Sequence, residues 1–149
     1  MEIILIRHTT PDIKKGICYG QSNIGVTNTF EEEANLIKKE LLHNSSKTIY
    51  FSSPLNRCKL LAKELSDKII YDNRLKELNF GDWELKKWND IDKEELDIWM
   101  KDFVHVKTTN GESYIELQTR TVQFINEIKQ LDAERIVVIT HAGLSLIHI

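Results

Sequence analysis

The amino-acid sequence predicts an α/β fold: a three-layer sandwich in which helices flank a mostly parallel central sheet. Three observations predict it. Four short apolar runs rich in β-branched residues recur along the chain, without the polar alternation of a half-exposed strand. Between them lie longer stretches with apolar residues at helical spacing. The 149 residues suit one domain with one core, and no repeat or low-complexity linker divides them.

The elements follow in order. Ile3-Ile4-Leu5-Ile6 reads as a buried strand. Thr29 and Glu32 have the spacing of a capping box, and Phe30, Ala34, Ile37 and Leu41 form the inner stripe of the helix it starts. Thr48-Ile49-Tyr50-Phe51 is a second strand. Ser53-Pro54 then opens a second helix, with Pro54 where a missing N–H costs nothing and Leu55, Cys58, Ala62 and Leu65 facing inward. Ile69-Ile70-Tyr71 is a short third strand. Residues 82–110 carry Trp83, Trp88, Trp99 and many charges, and read as an irregular helical insertion within the single domain 1–149. Ser113 caps a further helix in which Leu117, Phe124, Ile128 and Leu131 turn inward. Ile136-Val137-Val138-Ile139 is the fourth strand.

Composition narrows the function. The chain is 41% hydrophobic and 29% charged, which is ordinary for a soluble globular protein. Its net charge of -3 gives no basis for general binding to nucleic acid or membranes. An anionic substrate would need a local cluster of positive charge. The apolar run at residues 3–6 is too short for a signal-peptide core or a membrane span, so the expected location is the cytoplasm. Cys18 and Cys58 form no C-x-x-C pair and read as reduced thiols.

Open α/β sheets bind ligands beyond the carboxyl ends of their strands. Arg7, His8 and Thr9 follow the first strand here. Ser52, Ser53 and Pro54 follow the second, with Arg57 one turn on. Arg74 and then Glu77 follow the third. Thr140, His141, Ala142 and Gly143 follow the fourth. Around a phosphate this set has a clear chemistry. Arginine offers a permanent charge and a planar fork for phosphate oxygens. A neutral imidazole can attack phosphorus. A carboxylic acid can protonate the leaving oxygen and then deprotonate water. A protonated second histidine can stabilise charge on the equatorial oxygens.

Taken singly, each residue reads as an ordinary surface or core group; the coincidence carries the argument. His8, His141 and Glu77 also match a catalytic zinc ligand set. However, no H-x-H or H-E-x-x-H pair is present to nucleate one, and two neighbouring arginines repel a divalent cation. The expectation is therefore no metal.

The motifs together resemble the histidine phosphatase superfamily, the phosphoglycerate-mutase-like proteins. Leu5-Ile6-Arg7-His8-Thr9 is similar to its R-H-G signature, and Ser53 to Arg57 to its S-x-x-x-R segment. Leu75 to Glu84 resembles the segment that supplies the acid. Gly111-Glu112-Ser113 with Arg120 resembles a further recurring segment, and Val138 to Gly143 the second histidine motif. The resemblance implies a phosphoglycerate-mutase-like fold and a phosphorylated nucleophile at His8. It also implies phosphoryl binding by Arg7, Arg57 and His141, a proton donor at Glu77, and no cofactor. Arg7 to Asp12 and Gly16 to Ser22 look most like the α-ribazole phosphatases of cobalamin assembly. That implies a small-molecule phosphate ester as partner, with Gln21 and Asn23 in the substrate loop. The tryptophans could stack on a flat base or serve as core anchors.

Three departures from the family pattern stand out. Thr9 occupies a position where glycine is usual, and Leu85 another. The chain also runs only six residues past Gly143, which predicts a C-terminally shortened fold, a bare sheet face, and low stability or self-association into a homo-oligomer. Rival functions are a phosphoglycerate mutase, a broad-specificity small-molecule phosphatase, and a non-catalytic phospho-ligand-binding module.

Overall fold

In the computed structural model, which describes residues 1–41 and 47–147, four parallel strands form one sheet. They are β1 (Glu2–Arg7), β2 (Thr48–Ser52), β3 (Ile69–Tyr71) and β4 (Arg135–Thr140), in the spatial order β1-β4-β2-β3. The last strand in sequence thus lies between the first two, with Leu5 and Phe51 both opposite Val138. All four expected strands are present. β1 is only half-buried, because it lies at the edge of the described sheet.

Side-chain alternation on β4 separates two cores. Ile136 and Val138 point to one face and pack with Phe51, Leu117, Phe124, Ile128 and Leu144. Val137 and Ile139 point to the other, against Ala34, Leu41, Cys58, Leu61 and Ala62. The second face is covered by α1 (Phe30–Glu40) and α2 (Asn56–Leu65). The first is covered by α4 (Tyr114–Ile128) and the short α5 (Ala142–Ile147). Phe51 and Phe124 meet edge to face at 5.3 Å, worth about 1 kcal/mol beyond their burial. Helices thus lie on both faces of the described sheet, while Ile70 and Tyr71 of β3 stay 51% and 40% exposed. Leu144, on the short helix after His141, joins that cover and is buried. Residues 148–149 of that segment lie outside the described residues.

Helix starts differ in detail from the sequence reading. Thr29 makes no capping bond, because its hydroxyl donates instead to Glu33 at 3.0 Å. α2 begins two residues after Pro54, at Asn56. Leu55 offers no side-chain acceptor at its N-cap, and Asn23 supplies one from a distant loop, accepting from the Asn56 N–H at 2.8 Å. Ser113 and Glu116 form a complete capping box. Leu131 is 37% exposed, since α4 ends at Ile128.

The insertion holds 3₁₀ turns at Gly81–Trp83 and Trp88–Asp90, then α3 (Lys93–Lys101). Cys18, Trp83 and Ile91 form its small core, joined by Phe80, Trp88, Leu96 and Trp99. Trp83, Trp88 and Trp99 pack on one another with centroids 5.6 to 6.3 Å apart, so they are core anchors. No helix among the described residues is long and apolar enough to cross a membrane.

Candidate active site

The site forms where the chain leaves β1 and β4. The ladder runs one step beyond the strands: the His8 N–H donates to the Thr140 carbonyl at 3.1 Å, and the Ser53 N–H to Ile139 at 2.9 Å. This register sets His8 beside His141, ring centroids 5.1 Å apart. Both rings are buried, and Arg57 reaches them from the first turn of α2, itself fully buried.

His8 has one tautomer open to it. Its Nδ1–H donates to the Thr9 carbonyl at 2.7 Å, which leaves the lone pair on Nε2. Arg57 Nε–H donates to that Nε2 at 3.3 Å. Burial, reinforced by the charges of Arg57 and Arg7, lowers the His8 pKa to about 4. The ring is therefore neutral at neutral pH. His141 is pushed down further, to about 2, by burial and then by Arg57. Its Nε2 lies 2.9 Å from the Ser53 hydroxyl and 3.4 Å from Cys58 Sγ. Burial raises both thiols, Cys18 and Cys58, to about 12, so neither is a nucleophile at neutral pH.

Arg7, His8, Glu77, Tyr19, Leu78, Phe80, Tyr114, Ala142 and Gly143 line a cavity of about 230 Å³. Glu77 is held against its wall. One carboxylate oxygen accepts from the Leu78 N–H at 2.9 Å, the other from the Gly143 N–H at 3.2 Å. The Glu77 carboxylate can hold this position only beside a glycine, since a Cβ on Gly143 would meet Glu77 Oε1 at 2.3 Å. Arg7 is exposed at the mouth, and Thr9 is buried with a hydroxyl that has no partner among the described residues.

The structure thus brings together Arg7, His8, Arg57, Glu77 and His141, but gives Gln21 and Asn23 other work. Gln21 Nε2 donates to the Glu77 backbone carbonyl at 3.0 Å, outside the cavity, and Asn23 caps α2. Both amides are thus engaged with backbone groups.

Three groups received no role from the sequence. Tyr19, Phe80 and Tyr114 come from separate segments to wall the cavity. Arg120 donates to the carbonyls of Arg74, Lys76 and Glu77, at 2.5, 2.6 and 3.0 Å, while pairing with Glu112 at 2.6 Å. It fixes the strand of chain that carries Glu77. The Glu84 carboxylate accepts from four backbone N–H groups around the Gly20–Ser22 loop. The chemistry open to this arrangement is attack by a neutral imidazole on an anion held by arginine, with a carboxyl group alongside.

Comparison with known proteins places the chain in a family. Residues 3–148 match the model of the histidine phosphatase superfamily, branch 1. The chain is 32% identical over 154 residues to the adenosylcobalamin/alpha-ribazole phosphatase of Escherichia coli, covering 97% of this chain and 75% of that protein. It is 25% identical to phosphoserine phosphatase 1 of Hydrogenobacter thermophilus, covering 95% and 71%. It superposes on the crystal structure of the alpha-ribazole phosphatase from Shigella flexneri with a TM-score of 0.88 at 27% identity, covering 97% and 76%.

Proposed function

The chain belongs to branch 1 of the histidine phosphatase superfamily, and we propose that it is a phosphomonoesterase working through a phosphohistidine at His8. The observation that carries this reading is the state of His8: a neutral ring, Nδ1–H tied to Thr9, and its Nε2 lone pair beside Arg57. A phosphate ester entering the cavity takes over the Arg57 Nε–H. Nε2 attacks phosphorus, the bond to the leaving oxygen breaks, and Glu77 gives that oxygen a proton. Water then attacks phosphorus, its proton goes to Glu77, and the P–N bond breaks. Neutral His8 and inorganic phosphate result. Arg7, Arg57 and His141 hold the phosphoryl oxygens through both steps. A dianion beside His141 opposes the cationic charges that depress it, and so favours its protonation.

The leaving-group side supports an ester of α-ribazole, the phosphate of a benzimidazole ribonucleoside, as in assembly of the cobalamin nucleotide loop. Tyr19, Leu78, Phe80 and Tyr114 form the wall next to Glu77, and aromatic rings pack well on a flat base. Among the described residues that line that cavity Arg7 is the one cation, whereas a phosphoglycerate mutase must also neutralise a carboxylate. The test is acid-labile labelling from a phosphorylated substrate, followed by turnover of α-ribazole phosphate, phosphoserine and 3-phosphoglycerate. Label should appear in the unaltered chain and vanish in His8→Ala, with α-ribazole phosphate turned over fastest. A label retained by His8→Ala would sink the mechanism. Equal rates on all three esters would remove the substrate assignment.

A further inference from the structure

We propose that Glu84 is a positioning residue that acts through Arg57, gathering the Gly20–Ser22 loop so that the loop's carbonyls aim the guanidinium at His8. The inference rests on the reading of Arg57 as a holder of phosphoryl oxygens.

The connections run in one unbroken series. Glu84 accepts from the N–H groups of Gly20, Gln21 and Ser22 at 3.0, 2.8 and 3.2 Å, from the Phe80 N–H at 3.2 Å, and from the Ser22 hydroxyl. The Gly20 and Ser22 carbonyls in turn accept from Arg57 Nη2 and Nη1, at 2.5 and 2.9 Å. That fork leaves Nε–H directed at His8 Nε2. The loop is thus a layer of peptide dipoles between an anion and a cation. Gly20 packs closely against the Leu78 backbone, where an added Cβ would lie 1.8 Å from the carbonyl oxygen. A guanidinium has a fixed planar fork, so moving its two carbonyl anchors swings Nε away from its target.

The test reads His8 itself. Its ionisable neighbours are Arg7 at the end of β1, Glu33 on α1, Arg57 on α2, Glu77 after β3 and His141 after β4. Removing the Glu84 charge acts directly to lower the His8 pKa, whereas releasing Arg57 raises it. The signs are opposite, so an NMR titration of the full chain discriminates. In Glu84→Gln the His8 titration should move up from about 4 towards the ordinary imidazole value. Inorganic phosphate should bind about tenfold more weakly. Glu116→Gln, which removes the α4 capping carboxylate and its pairing with Lys107, should leave the titration in place. Ser22→Ala, losing one of the Glu84 contacts, should move it in the same direction by less, and decides the matter if Glu84→Gln fails to fold. A His8 titration unchanged or lowered in these variants overturns the proposal. Failure of the unaltered chain to bind phosphate would count against the phosphatase reading, with the titration still deciding the role of Glu84.

Discussion

Arg57 Nε and His8 Nε2 lie 3.3 Å apart, with the guanidinium as donor. The bond exists only while Nε2 keeps its lone pair, so a proton and Arg57 compete for the same atom. Burial and this fixed cation together keep the His8 ring unprotonated, and in the proposed mechanism the same cation then serves the anion that His8 attacks.

The acid limb of the rate profile should follow from this. With His8 held at about 4, kcat/KM on the nucleophile's side should stay level well below the ordinary imidazole value of about 6.5. Stability should depend on pH in the same region. The unfolded chain takes up these protons near 6.5, the folded chain only near 4 for His8 and near 2 for His141. Below about 6.5 the unfolded state binds more protons, so stability is full above that value and falls as pH falls. Urea unfolding at pH 7 and pH 5 should show the loss, and His8→Asn should reduce it. An identical loss in both proteins would contradict the assignment.

Gly143→Ala should separate folding from turnover. Alanine favours helix by about 1 kcal/mol over glycine, so α5 should tolerate it. The new Cβ, however, would stand 2.3 Å from Glu77 Oε1 and displace the carboxylate. We expect kcat to fall about a hundredfold, most for poor leaving groups, with little change in melting temperature. Equal loss across leaving groups would point to a binding role for Glu77.

Arg120→Ala should damage both properties. It leaves three carbonyls without their donor and the Glu112 carboxylate, largely buried, without its cation. The cost should be about 2–3 kcal/mol by denaturant titration. Arg120→Lys should restore charge but only part of the activity, because one ammonium cannot span the same acceptors. Full recovery in the lysine variant would show that charge alone matters.

Leu85→Gly should stabilise the chain. Leu85 has φ of 65° and is 60% exposed, so its side chain strains the backbone while burying little. Relief should be worth about 1 kcal/mol. An earlier melt in the glycine variant would show that the leucine makes a compensating contact.

The strands were legible because continuous β-branched runs have few other destinations in a chain of this size. The convergence of Arg7, His8, Arg57, Glu77 and His141 was legible because each lies at or just past a strand end or, for Arg57, on the first turn of the helix that follows, and a parallel sheet collects such ends. The backbone bonds of Gln21 and Asn23 were not legible, because a polar loop residue looks the same in sequence whether it meets a ligand or caps a helix. Glu84 and Arg120 work almost wholly on backbone groups, which carry no side-chain signature. Thr29 showed the spacing of a capping box, but Glu33 one position later drew its hydroxyl away.

The place of β4 in the sheet also bears on how the enzyme comes into being. β1 and β2 do not touch across a ladder; each pairs with β4, so Ile3 waits for Ile136 and Ile49 waits for the same residue. Closing a loop of that length comes late and makes for slow folding. On the ribosome, His8 emerges well before His141. The two rings can therefore meet only once β4 has slotted between β1 and β2, and the paired-histidine site should assemble in that one step.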